Sequence, residues 1–137
     1  MPRLNKSGPD KIHGPGRQSR KARDWQAGRR AEHLAAWWLR LHGYRILARN
    51  FRHAGGEVDL LARRGTVLAA VEVKWRPDLD LAAEAISARQ KHRIHRAASV
   101  FWAGQRDAAA LSLRFDALLL APWRWPHHIR DAWRPET

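Results

Sequence analysis

Cysteine is absent from the 137 residues, which excludes disulfides, thiol nucleophiles and thiolate zinc sites. Carboxylates and histidines are left as the metal ligands this chain can offer. Acid is scarce, with 13 Asp and Glu against 26 Lys and Arg. The resulting charge of +13 is the footprint of a phosphate-rich partner, nucleic acid first and an anionic membrane surface second. No apolar run approaches the roughly 20 residues that cross a bilayer, and the basic start is not followed by the apolar stretch of a secretory signal. The expected location is therefore cytoplasmic, without a membrane partner. Repeats, a Gly-rich phosphate loop and a Ser-His-Asp pattern are all missing, so nucleotide-fold and serine-hydrolase chemistry have no support.

What is present reads as one domain behind an arm. Residues 1–23 are rich in Pro, Gly and basic side chains without an apolar period, the composition of a disordered arm. Through residue 24 the seven basic and two acidic residues give +5 of the total +13, so the remainder, residues 24–137, is itself strongly basic. Apolar residues at Ala27, Ala31, Leu34, Ala35, Trp38 and Leu41, between an N-cap at Asp24 and Gly43, predict an amphipathic helix. "YRILARNFR", "EVDLLAR" and "TVLAAVEVKW" read as a three-stranded meander. A loop with a short helical turn, "RPDLDLAA", follows it. Ser87 and Gln90 form a capping box that opens a second helix with an Ile94, Ala97, Ala98, Phe101, Trp102 stripe. "LSLRFDALLL" is a fourth strand, and "WRWPHHIRDAW" is a tail without assigned structure. The order α-β-β-β-α-β defines an α/β fold with a central sheet flanked by helices.

Alternation along a strand sets Glu57 and Asp59 on one face, with Val58 and Leu60 on the other, and sets Glu72 and Lys74 against Val71 and Val73. If Arg64-Gly65 is a two-residue hairpin loop, Glu57 faces Glu72 and Asp59 faces Ala70. Carboxylates opposed in this way destabilise a sheet and resist ionising beside one another. A hard divalent cation such as Mg²⁺ compensates, because it takes oxygen ligands and needs only one or two carboxylates besides phosphate oxygens. The ordinary alternative is a wet face with a surface Glu-Lys pair worth at most about 1 kcal/mol. For Glu32, which lies beside the apolar stripe of the first helix, a boundary salt bridge is the ordinary reading.

"GRRAEHLAAWWLRLHGYRILARNFR", "GGEVDLLARRGTVLAAVEVKWR" and "LRFDALLL" resemble the YraN family of bacterial proteins. That family is similar to Holliday-junction resolvases and other PD-(D/E)xK nucleases of restriction-endonuclease-like fold. The resemblance covers about residue 25 to the end. It implies a metal-dependent endonuclease acting on DNA, with Asp59, Glu72 and Lys74 as the motif residues and Glu32 as the acid on the first helix. Asp59, Glu72 and the carbonyl of Val73 are the implied ligands of Mg²⁺ or Mn²⁺, with Glu57 an accessory acid. Arg76, Gln90, Lys91 and Arg93 are the implied nucleic-acid contacts, Gln90 and Lys91 standing in exchanged order relative to the family pattern. A resolvase-like role implies a homodimer. The rival reading keeps the fold as a nucleic-acid-binding module without catalysis.

Eight tryptophans are many for this length. Trp38 and Trp102 lie on helix stripes and read as core. Trp123, Trp125 and Trp133 interleave with Arg124, Arg130 and Arg134. Their ordinary role is aromatic cover for a sheet edge, and the alternative is stacking on unpaired bases. Arg114 and Asp116 share a strand face and read as a structural ion pair. His127-His128 lacks the i,i+4 spacing of a helical zinc pair and reads as a polar loop.

Overall fold

The computed structural model describes residues 28–77 and 86–135. The expected arm, the Asp24 cap and the helical turn within "RPDLDLAA" lie outside the described residues, apart from Arg76 and Pro77 at the start of that loop. The chain divides into two compact units, Met1–Arg30 and Ala31–Thr137, and the second holds the sheet. Its elements are α1, helical through described residues 28–41, then β1 (Arg45–His53), β2 (Gly56–Arg64), β3 (Val67–Trp75), α2 (Ala88–Ala103), β4 (Ser112–Leu120) and β5 (His127–Trp133).

The five strands form one mixed sheet in the order β1-β2-β3-β4-β5. β1, β2 and β3 are the antiparallel meander, β4 lies parallel to β3, and β5 closes the sheet antiparallel to β4. The parallel step needs a crossover, which α2 supplies. The fold is thus α/β with helices on both faces of a mixed sheet. β5 is an addition to the expected elements, because the tail is a strand. Its seven residues place His128, Arg130 and Asp131 among few apolar ones, so alternation is faint. A single carboxylate pins this edge. Asp116, fully buried, accepts from Arg114 Nε and NH2 at 2.8 and 2.7 Å, from the Asp131 N–H at 3.0 Å and from His128 Nε2 at 2.8 Å. An ionised carboxylate only accepts, so His128 Nε2 carries the proton. Arg114 also donates to the Tyr44 hydroxyl at 2.6 Å. The Arg114-Asp116 pair stands as expected, and His128 is a strand residue within its network.

Two apolar clusters sit on opposite sides of the sheet. Beneath α1 lie Ala31, Ala35, Ala36, Leu39, Leu60, Ala62, Val71 and Leu118. Beneath α2 lie Val58, Leu61, Ala70, Ile94, Ala97, Ala98 and Leu119. A fully buried leucine contributes about 1.5–3 kcal/mol, so these two layers carry the fold. The stripe expected on α2 is the one buried. On α1 the face is rotated, with Ala31, Ala35, Ala36 and Leu39 inward while Leu34 and Leu41 stay exposed. "AEHLAAWWLRL" is apolar around most of its circumference, so periodicity allows either stripe, and the alanines permit the closer approach to the sheet.

The β2–β3 register also differs from expectation. Leu60 faces Val71 and Arg64 faces Val67, so the loop is Gly65-Thr66. Gly65 takes φ +62° at the first loop position, where a type II′ hairpin wants glycine. A loop of Arg64-Gly65 would have asked that conformation of an arginine. Leu61, not Asp59, consequently faces Ala70. Side-chain alternation on β2 breaks as well, since Val58 packs beneath α2 and Leu60 beneath α1. The opposite point of β1 is Asn50, held at φ +49° between the pairs Arg49↔Leu60 and Phe51↔Val58.

Candidate functional site

β2 and β3 part company at one end of the sheet, and their acids meet there. The last paired residues toward that end are Leu60 and Val71. Beyond them the Val73 N–H donates to Asp59 Oδ2 at 2.9 Å, a side chain taking the place of a ladder carbonyl. A residue in an antiparallel ladder sends its N–H and C=O to the same neighbour, so the Val73 carbonyl leaves β3 toward Asp59 too. Glu72 is buried and shares a hydrogen bond with Asp59. Burial, then Asp59, pushes the Glu72 carboxyl up to about 9; Lys74 opposes the shift and Glu57 adds to it. The structure thus brings Asp59 and Glu72 into contact, with Lys74 two residues further along β3.

A cleft of about 100 Å³ opens over this pair, lined by Glu57, Asp59, Glu72, Gln90, Arg93 and Ile94. Its α2 wall stands close because of Gly56. A Cβ there would collide with the Arg93 carbonyl and reach the Ala97 nitrogen at 3.0 Å. The capping box fixes the start of that wall, with the Gln90 N–H donating to Ser87 Oγ at 3.1 Å and the Ser87 N–H to Gln90 Oε1 at 3.3 Å. Glu57 lies at the mouth, 3.5 Å from Arg52 and 3.8 Å from Arg93.

Other expected site residues are placed elsewhere. Glu32 does not line the cleft. It is on α1, where its Oε1 accepts from Asn50 Nδ2 at 2.7 Å, and it approaches Asp59 only through Asn50, which sits across β1–β2 from it. Lys91 holds its ammonium 5.9 Å from the centre of the Trp133 ring. Arg76 donates to the Trp75 carbonyl at 2.7 Å, and its own N–H binds the Leu120 carbonyl at 3.0 Å. Trp38 and Trp102 pack against the cores as expected. Of the three tryptophans weighed for stacking, Trp133 is buried beneath α2, whereas Trp123 and Trp125 are exposed. Asn50 is the participant that pattern reading passes over. Its signal is an asparagine in the middle of a strand, a residue type depleted from strands yet tolerant of positive φ.

The donor set is hard and all oxygen. Two touching carboxylates and a strand carbonyl on the same side fit one Mg²⁺ or Mn²⁺, which leaves its other positions to water and phosphate. Among the described residues, no group of three or more His, Cys, Asp or Glu side chains is arranged to hold a metal ion. Among them, too, no helix is long and apolar enough to cross a membrane.

The chain is similar to proteins from several bacteria. A UPF0102 protein of Methylocella silvestris is 51% identical over 113 residues, covering 82% of this chain and 90% of its own. One from Parvibaculum lavamentivorans is 50% identical over 111 residues, covering 81% and 84%. One from Paramagnetospirillum magneticum is 52% identical over 111 residues, covering 78% and 86%. The family model described as "Uncharacterised protein family UPF0102" matches residues 31–120. That span runs from α1 to the last residue of β4 and takes in both cleft carboxylates, and the chain belongs to the UPF0102 family.

Proposed function

We propose that the cleft is a divalent-metal-dependent phosphodiester-cleaving site and that the protein is an endonuclease-like enzyme acting on DNA. The observation that carries this reading is the contact between Asp59 and Glu72, two acids packed together where β2 and β3 separate. A structural role would not call for a second carboxylate against a buried one, since a buried acid pair destabilises the fold unless a cation offsets it. Mg²⁺ or Mn²⁺ held by Asp59, Glu72 and the Val73 carbonyl would neutralise the acids, polarise a phosphoryl oxygen and acidify water. The chain's own residues do the rest. The Val73 N–H orients Asp59, Lys74 orients the attacking water or stabilises charge developing on the phosphate, and Arg93 offers a cation at the mouth. The net charge of +13 draws the polyanion in. The cytoplasm is the proposed compartment, and a symmetric dimer would present two such clefts to a branched substrate.

The test incubates supercoiled, linear and branched DNA with the protein and Mg²⁺ or Mn²⁺, beside EDTA and a Lys74→Ala variant. Metal-dependent cutting should fall by about 10²–10³ in the variant, the scale of a lost transition-state contact. Cutting that survives the substitution would trace to a contaminant. Binding without cutting on every substrate would turn the reading toward a nucleic-acid-binding module, a reading favoured by the engagement of Glu32 with Asn50 outside the cleft.

A further inference from the structure

We infer that the β4–β5 turn, residues 122–126, is a stacking platform for the unpaired bases of a DNA strand. This deepens the nuclease reading of the cleft and rests on it for the kind of substrate delivered. The turn reads Pro-Trp-Arg-Trp-Pro. Trp123 is wholly exposed and Trp125 is 80% exposed, so two of the largest apolar side chains in the protein bury little or nothing of their faces. Trp123 is also held at φ +62°, a conformation costly for a bulky side chain, with no packing to offset it. Such an arrangement gains only when something lies against the indoles.

Charge identifies that occupant. Arg124 separates the two rings and makes no ion pair among the described residues, and Arg76 is tied by its N–H to the strand end from which the turn departs. Indoles interleaved with arginines suit a strand that offers bases and phosphates in alternation. An apolar patch on a second copy of this chain would meet the same cations unpaired. Paired bases keep their faces inside the stack, so the platform selects unpaired ones.

Position links it to the cleft. Leu120 lies beside Trp75 in the parallel β3–β4 ladder, one residue past Lys74 and three past Glu72. The turn therefore starts from the end of the sheet that carries the acids. Trp125 is already oriented, its ring centre 6.0 Å from that of Trp38, which limits the rotamer freedom lost on stacking.

The full-length protein in EDTA, where no cleavage intervenes, is titrated with labelled oligothymidylate, an abasic strand of equal length, and a duplex. Wild type should prefer oligothymidylate over the abasic strand by about tenfold or more, the scale of one stacked base. Trp123→Ala/Trp125→Ala should erase that preference while duplex affinity and Tm stay unchanged, since neither ring contributes to the core. Equal affinity of wild type for the two strands would overturn the platform, as would a preference that survives the double substitution. A loss accompanied by a drop in oligomeric mass would overturn it too, by assigning the surface to a second copy. If the base preference depends on both tryptophans but no substrate is cut with metal, the platform stands and the nuclease reading fails.

Discussion

Glu72 is where a single side chain bears most on what this protein can do. Burial and the neighbouring Asp59 raise its pKa from 4.5 to about 9, so in metal-free protein it is protonated at neutral pH. Between those values the folded protein holds a proton that the unfolded chain releases. Metal-free stability should therefore fall as pH rises through that window, by at most about 1.4 kcal/mol per unit. Glu72→Gln, which cannot ionise, should flatten the slope. Urea midpoints across the window in EDTA would show it, and identical slopes in the two proteins would mean that Glu72 is neither buried nor paired as described. Asn50 matters at the same scale, since its positive φ coincides with the break in alternation that separates Val58 from Leu60.

Among elements, the seat of α2 on β2 decides whether there is a cleft at all. Gly56 permits an approach that any side chain would block, because a Cβ would strike the Arg93 carbonyl. Gly56→Ala should push α2 outward and cost about 1–3 kcal/mol by overpacking, read as a lower urea midpoint. Because Gln90, Arg93 and Ile94 form the α2 wall, the same variant should lose metal-dependent cutting out of proportion to its stability. A variant as stable and active as wild type would show that the helix does not depend on this contact. β5 illustrates another element-level dependence. It is held by ladder bonds and by the ligands of Asp116, with burial raising that carboxyl's pKa and hydrogen bonds from His128, Arg114 and the Asp131 N–H outweighing it to leave it low.

For the molecule as a whole, charge is the dominant property. If phosphate contacts drive DNA binding, log affinity should fall linearly with log salt. A protein touching six or more phosphates loses about 10³ or more between roughly 50 and 200 mM. Anisotropy titrations over that range measure the slope, and a flat line would argue against a polyanionic partner. The order of elements could be read from sequence because periodicity, the Ser87 cap and the Gly43 stop are local signals that act within a few residues. The acids at Asp59 and Glu72 were legible for the same reason, as alternation on single strands. Three things were not local. Whether the hairpin loop began at Arg64 or Gly65 depended on which residue could take positive φ. Which stripe of α1 turned inward depended on the sheet it met, and Trp133 was separated from Trp123 and Trp125 only by the pairing of β5. Composition and pattern alone thus determined a basic α/β chain with acids on neighbouring strands. Tertiary structure decided that Asp59 and Glu72 touch while Glu32 turns to Asn50, because register and packing are set by contacts between segments distant in the chain.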